Sequence, residues 1–390
     1  MRTDISQRFE FLKEIDKLRG VNRHNVLIDG SRVENSAEHS WHLALYALIL
    51  QEHAPAGVEI LRVIQMLMIH DIVEIDVGDH PIHLSTDWQD VAAAEGAAAD
   101  RIFGLLPVEQ RDTLIALWRE FEADTSKDAQ FAKTLDRLQP LFQTLLGHAP
   151  DYHRDICREN IYFGRALSVK ERFAEVYDYL TVLLDQPDAQ AKDATLAAQI
   201  AFLKEADQLK SVLRASRLGD GSRRENSAEH SWHILLFALI LEPHANAQVD
   251  VLEVLTMLLL HDLVEIDAGD APIHGVVSAE ALAALADAET AAADRIFGLL
   301  PTAQGTALKQ IWQRFEAAET NEARFAKSID RVQPVILNLL NGGGSWPEYN
   351  VTLDQIDSRV GQKVKRGAPE LWDFVQPQVA AWFAGQTKNG

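Results

Sequence analysis

The chain repeats itself, and that constrains its fold more than any other feature. The nonapeptide ENSAEHSWH at 34–42 recurs unchanged at 225–233. HDIVEIDVGD at 70–79 returns as HDLVEIDAGD at 261–270, in the same register of 191 residues that separates His39 from His230. FLKE at 11–14 recurs at 202–205 in that register. Further on, RIFGLLP at 101–107 pairs with 295–301, and FAKTLDRLQP at 131–140 with FAKSIDRVQP at 325–334. The second copy has gained three residues between His274 and Glu289. Solenoid units run to roughly 20–50 residues, so a period this long indicates a duplicated domain. The expected division is 1–188 and 189–390, with the polar, small-residue stretch 186–198 as linker. Each half is long enough to bury its own core.

The apolar pattern is helical and the fold class is all-α. Helices are expected over 7–19, from Asn35 or Ser36 through LALYALIL, over 58–74, and over 88–104, 108–122, 128–146 and 169–184. Asn35 or Ser36 can cap the second of these, with Glu38 as capping-box partner. The segment 77–87, with Gly78 and Pro81, reads as loop, and no stretch alternates as a strand does. The second half repeats this order.

The formal net charge of −21 argues against a nucleic-acid polymer as partner, since such binding needs a basic face. A small anionic substrate needs only a local positive pocket. Cys157 is the single cysteine, so no intrachain disulfide forms. The amino terminus has no apolar leader segment and no apolar run is long enough to span a bilayer, so a cytoplasmic protein is expected.

His70-Asp71 closes an apolar helical run, as does His261-Asp262. Two ionisable groups there are costly to desolvate unless paired or bound to a metal. A hydrogen-bonded pair ending a core helix is the plain alternative. His39 and Asp136 add further donors, as do His230 and Asp330. Each half thus offers two nitrogens and two carboxylates, a set suited to Mn²⁺, Fe²⁺, Co²⁺, Ni²⁺, Zn²⁺ or Mg²⁺, one ion per domain. Glu74 lies four residues after His70 and can share its helix face, where it could orient or deprotonate bound water. Asp79 follows Gly78 in a turn, which alone could explain it, and Asp76 reads as an exposed turn acid. His42 and His233 are expected to pack or support rather than ligate. His83 and His274 could touch substrate or be exposed, and Trp41 and Trp232 read as core.

The ordered set H…HD…D, with HDxxE and a following GD, resembles the HD-domain metal-dependent phosphohydrolases. ENSAEHSWH followed by HDIVEIDVGD is similar to their 5′-deoxynucleotidase branch. The resemblance covers about 8–146 and 199–340. It implies two tandem helical bundles, with His39, His70, Asp71 and Asp136 binding one divalent ion and His230, His261, Asp262 and Asp330 another. It implies that Glu74 and Glu265 are catalytic acids assisted by Asp79 and Asp270. The substrate it implies is a nucleoside monophosphate. That branch also places an arginine followed by a tryptophan before the first histidine. Here the stretch holds Arg19, Arg23 and Arg32 without tryptophan, so Arg23 and its counterpart Arg214 are the candidates for substrate binding and the sugar preference is not carried over. Related single-domain proteins pair as dimers, so the duplication implies an intramolecular pseudo-dimer.

The rival readings are a two-metal phosphodiesterase or di-iron oxygenase and a nucleotide-binding regulatory module. The first needs extra histidines between the HD pair and the last aspartate. The second half has only His274 there and the first only His80 and His83. The second rival predicts lost ligands, yet both copies keep all four and the glutamate.

Overall fold

The computed structural model describes residues 2–80, 87–271 and 278–386. Helices dominate them, as the periodicity requires. The first repeat runs α1 (Arg2–Ile15), α2 (Ser36–Ile49), α3 (Ile60–Ile69), α4 (Glu74–Val77), α5 (Trp88–Phe103), α6 (Val108–Ala123), α7 (Lys127–Leu145), α8 (Asp151–Phe163), α9 (Val169–Arg172) and α10 (Ala174–Asp185). The second runs α11 (Ala194–Ala206), α12 (Ser227–Leu241), α13 (Val251–Leu260), α14 (Glu265–Ala268), α15 (Ala279–Phe297), α16 (Thr302–Ala317) and α17 (Asn321–Leu340). It ends in α18 (Ser345–Glu348), α19 (Leu353–Ile356), α20 (Gln362–Gly367) and α21 (Pro369–Gln386). No described helix is long and apolar enough to cross a membrane.

Several local expectations are corrected. Each repeat has a small hairpin where periodicity shows no strand: β1 (Asn22–Val26) pairs antiparallel with β2 (Val33–Asn35), and β3 (Leu213–Arg217) with β4 (Arg224–Asn226). These strands are too short to show alternation, and the turn between them sets the pairing. Gly30 adopts φ 74°, Ser31 N–H donates to Asp29 Oδ1 at 2.8 Å, and Leu27 N–H donates to the Arg32 carbonyl at 2.9 Å. The helix expected over 58–74 breaks at His70, where one 3₁₀ turn covers His70–Val73 before α4. Gly78, at φ 76°, then ends α4. The helix expected over 169–184 is interrupted at Phe173, whose φ of −151° is extended. The 186–198 linker shortens because Asp193 caps α11, accepting from Leu196 N–H at 2.8 Å. Helix α8 escapes sequence reading because only Cys157 and Ile161 of its residues are buried, too thin an apolar stripe.

The contiguous repeats and the compact units are not the same. One unit comprises Lys17–Gln208 with Leu299–Pro301, and the other Met1–Asp16, Leu209–Gly298 and Thr302–Gly390. The leading helix α1 therefore packs with the second repeat, where Phe9 stacks on Phe374 at 5.0 Å and meets Phe237 edge-on at 6.4 Å. Helix α11 packs with the first, where Gln199 Nε2 donates to the Ile49 carbonyl at 3.1 Å. Boundaries at 1–188 and 189–390 describe the duplication; the packing follows the exchange.

The central helix of the first unit is α2, every residue of which is buried. Its start is fixed by a capping box: Glu38 N–H donates to Asn35 Oδ1 at 3.0 Å, and Asn35 N–H to Glu38 Oε2 at 2.8 Å. Arg32 holds Glu38 in turn at 3.0 Å. Helices α3 and α7 pack against α2, so the residues they carry inward meet in one buried place. Trp41 and Trp232 are wholly buried core residues, as expected.

Candidate functional site

Three elements deliver the ligand-type residues of the first unit. His39 lies one turn into α2, His70 follows the last residue of α3, and Asp136 lies midway along α7. His39 Nε2 is 3.2 Å from Asp136 Oδ1, and His70 Nε2 is 3.0 Å from Asp71 Oδ1 and 3.8 Å from Asp136 Oδ1. The second unit repeats this: His230 Nε2 is 3.4 Å from Asp330 Oδ1, and His261 Nε2 is 3.0 Å from Asp262 Oδ1 and 3.9 Å from Asp330 Oδ1. Donor atoms of His39, His70 and Asp136 lie within 4.8 Å of one another, as do those of His230, His261 and Asp330. Asp71 and Asp262 stand beside these triads, each with its second oxygen turned to an arginine.

The hydrogen bonds fix which nitrogen faces inward. His70 Nδ1–H donates to the Leu67 carbonyl at 2.9 Å and His261 Nδ1–H to the Leu258 carbonyl at 2.8 Å. A carbonyl can only accept, so in the neutral ring Nε2 carries the lone pair. That Nε2 is buried and has no hydrogen-bond partner in either unit. A lone pair held beside carboxylate oxygens, away from water, is unfavourable unless a cation or proton joins them. The donor set, two imidazoles and two carboxylates per unit, fits one divalent first-row metal ion.

The charge pattern agrees. Burial opposes the charged form of Asp136, yet the hydrogen bond from His39 and the nearby His70 outweigh it and hold the carboxyl well below its usual range. Asp262, opposed by burial but set against His261 and Arg214, is held to about 2. Burial and Arg23 disfavour a charged His39, yet Asp136 and Glu34 lift it to about 9. His230 behaves alike, against burial and Arg214, through Glu225 and Asp330. Each centre attracts positive charge.

The hairpin brings in the candidate substrate arginine. Arg23 Nη1 donates to Asp71 Oδ2 at 2.8 Å and lies 4.0 Å from Asp79 Oδ1. Arg214 Nη1 donates to Asp262 Oδ2 at 2.6 Å, with Glu265 at 3.7 Å and Asp270 at 3.9 Å. Glu74 is buried and accepts from Ser36 Oγ at 2.5 Å; Glu265 accepts from Ser227 Oγ at 2.6 Å. Burial first, then Asp71 and Asp79, push the Glu74 carboxyl well above its usual range, and Glu265 is raised by burial and Asp262. Asp79 Oδ2 lies 3.4 Å from His24 Nδ1, and Asp270 accepts from Ala215 N–H at 3.3 Å. In the first unit these groups open into a cavity of about 590 Å³ whose wall includes Lys133, Arg137, Trp88 and Arg165, the last stacked on the Trp88 ring at 4.3 Å.

Other candidates are placed differently. Asp76 is exposed, as expected, but lies on α4 rather than in the turn and takes Arg101 bidentately at 2.5 and 2.6 Å, as Asp267 takes Arg295. Glu34, His42 and Asp207 form another buried group, but both nitrogens of His42 are committed, Nε2 to the Leu203 carbonyl at 2.9 Å and Nδ1 to Gln139 Nε2 at 3.4 Å. His83 and His274 lie outside the described residues. Sequence reasoning overlooked Ser36, Glu34 and Gln139. Their signal was available, since the second copy keeps each as Ser227, Glu225 and Gln333.

The chain is similar to the 5′-deoxynucleotidase HDDC2 of Homo sapiens, 27% identical over 135 residues, which are 34% of this chain and 65% of that protein. The mouse counterpart is 28% identical over 134 residues, covering 34% of this chain and 66% of its own length. The match thus spans just under two thirds of these relatives. A crystal structure of a predicted metal-dependent phosphohydrolase from Magnetospirillum magnetotacticum MS-1 is 41% identical, covering 49% of this chain and 96% of that one, with a TM-score of 0.46. The HD-domain family profile matches twice, over residues 15–177 and 206–372. Those two segments take in most of the sequence and both clusters of histidine and aspartate, and the chain belongs to the HD-domain family, whose domain it carries in tandem.

Proposed function

We propose that each unit is a metal-dependent phosphomonoesterase that splits nucleoside 5′-monophosphates into nucleoside and phosphate, with one divalent ion per repeat. The observation that carries this is the buried Nε2 of His70 and of His261, which makes no hydrogen bond although it is turned toward two carboxylates, the nearer at 3.0 Å. The human relative's name, a 5′-deoxynucleotidase, supports the substrate class.

A divalent ion held by His39, His70, Asp71 and Asp136 would supply Lewis acidity and water activation. The chain's own residues do the rest. Arg23 is the cation closest to that quartet and can take non-bridging phosphoryl oxygens, exchanging part of its hold on Asp71 for substrate. Water attacks phosphorus, the P–O5′ bond breaks, the water proton passes to a carboxylate, and the departing oxygen receives a proton. Glu74 suits the donation to the departing oxygen: it is buried near Asp71 and Asp79, and its carboxyl, raised well above the ordinary range, holds a proton to give. Asp79, beside Arg23, helps to orient the attacking water. Glu265, Asp270 and Arg214 take these roles in the second unit.

The test is phosphate release after chelator treatment and reloading with Mn²⁺ or Co²⁺, across ribo- and deoxyribonucleoside 5′-monophosphates with 3′-monophosphates as controls. Metal-dependent release from the 5′ esters is expected. No release from any of them by protein with both sites filled would overturn the proposal.

A further inference from the structure

One histidine of each candidate metal triad, His230 or His39, stands at the end of a hydrogen-bonded relay that begins on the leading helix of the other repeat. In the second unit His233 Nε2–H donates to the Leu12 carbonyl of α1 at 3.0 Å. That leaves His233 Nδ1 as acceptor, and Gln333 Nε2 donates to it at 3.0 Å. The amide so oriented turns Oε1 to His230, whose Nδ1–H donates at 3.2 Å. In the neutral ring His230 Nε2 is then the lone-pair nitrogen, aimed at Asp330. The first unit repeats every link with α11 in the place of α1. His42 Nε2–H donates to the Leu203 carbonyl at 2.9 Å, Gln139 Nε2 to His42 Nδ1 at 3.4 Å, and His39 Nδ1–H to Gln139 Oε1 at 2.9 Å.

We infer that the leading helix of each repeat is a positioning element for the metal centre of the other repeat, acting through Leu12–His233–Gln333–His230 and Leu203–His42–Gln139–His39. The direction of the relay follows from its first member. A carbonyl cannot donate, so every later donor and acceptor is set. Glu225 Oε2 also accepts from Gln333 Nε2 at 3.2 Å and holds the amide this way round, so the carbonyl's own part is to fix His233, whose ring could otherwise turn over, set an N–H against that amide and displace it. His230 would then lose the partner that keeps its Nε2 free for an ion, and partners of this kind are typically worth about 10–100-fold in metal affinity. The family match begins at residues 15 and 206, after Leu12 and Leu203, so neither carbonyl belongs to the matched segments. The helices are also seated by contacts of their own. Phe9 packs on Phe237 and Phe374, and Gln199 lies 2.8 Å from His53.

The inference rests on the metal-site reading but not on catalysis, and its test separates the two. Full-length chains carrying Asp71→Ala retain only the second centre, and those carrying Asp262→Ala only the first. Each is prepared with and without residues 2–15, stripped, and titrated with Co²⁺ while visible absorption reports ligand geometry. Deletion should weaken Co²⁺ binding at least about 10-fold in the Asp71→Ala chain, and leave affinity and spectrum unchanged in the Asp262→Ala chain. The intact first centre then confines the loss to the unit in which α1 packs, and unchanged far-UV circular dichroism of that unit's helices in the truncated chain shows that the loss is not unfolding. Gln333→Leu, which keeps the helix but cuts the relay, should reproduce the loss, and Phe9→Leu should retain more affinity than Phe9→Ala. Equal losses at both centres, or full affinity in the truncated Asp71→Ala chain, would overturn the inference. No Co²⁺ binding in either untruncated chain would instead refute the metal site beneath it.

Discussion

The two repeats agree where an ion would sit and differ a few residues further out. Corresponding inner distances match within 0.2 Å, for example 3.2 and 3.4 Å from histidine to the last aspartate. Outside that shell, Arg137 of the first repeat donates to Ser168 Oγ at 2.7 Å and to Asp124 Oδ2 at 3.2 Å, and Arg172 shares the same aspartate at 2.8 Å. The second repeat has Ala318 in place of Asp124. Aligning VKERFAEVYDY at 169–179 with VKRGAPELWDF at 364–374 puts Gly367 at Arg172 and Lys363 at Ser168. A side chain at 367 would collide with the Arg324 carbonyl, so α20 lies against α17 where no arginine fits. Lys363 is depressed first by Arg331, and Arg331 Nε is buried without a hydrogen-bond partner. The inner residues match in both copies, as a shared ligand set would require, whereas the outer wall keeps only some workable balance of charge.

The sharpest break of the inner symmetry would come from the ligands. Asp71→Ala with Asp262→Ala should leave the protein without metal and without turnover, because a carboxylate of each site is gone. Either substitution alone should leave one ion per chain by elemental analysis. Unequal single variants would show that the matching distances conceal unequal sites.

Glu74→Gln with Glu265→Gln should instead keep both ions while phosphate release falls about 10²–10⁴-fold, the usual worth of general acid–base assistance. Loss of metal in this variant would make the glutamates ligands.

Asp124→Ala converts the first outer wall toward the second. Arg137 and Arg172 lose their common acceptor, and the first unit should lose about 1.5–3 kcal/mol, the scale of a hydrogen bond to a charged group. Hydrogen exchange in α7 and α9 would report it. Ala318→Asp should not produce the reverse gain, because no arginine stands at Gly367.

The smallest effect is a pH dependence on the first wall. Burial, then Glu122 and Asp71, raise Glu95 to about 7, while Glu289 is raised by burial and Glu316. A carboxyl raised on folding keeps its proton while the unfolded chain releases it. Its contribution is therefore whole below the unfolded value and lost as pH rises through about 7. Glu95→Gln should flatten the fall of Tm between pH 5 and 8 and leave Tm at pH 4 unchanged.

Much of the inner site was legible in the sequence, because His39 and Asp136 sit among apolar residues on their helices and duplication marked which polar residues both copies hold. The capping box at Asn35 and Glu38 was legible for the same reason: its chemistry is local. The hairpin that presents Arg23 was not, since its strands are shorter than the pattern that would reveal them. Nor was the exchange of α1 and α11. An apolar helix face records that it is buried but not against which repeat. Leu12 and Leu203 lie in the FLKE segment that both copies keep, but the repeat does not mark their carbonyls, because every residue owns one.

The most direct test titrates Mn²⁺ into chelator-stripped protein while bound metal and phosphate release from a deoxyribonucleoside 5′-monophosphate are followed together. Turnover should appear only with metal, rise as sites fill, and stop rising when each repeat holds one ion. Phosphate release that persists in the stripped protein, or filling of both sites with no release, would contradict an account in which the two HD units are metal-dependent phosphomonoesterases.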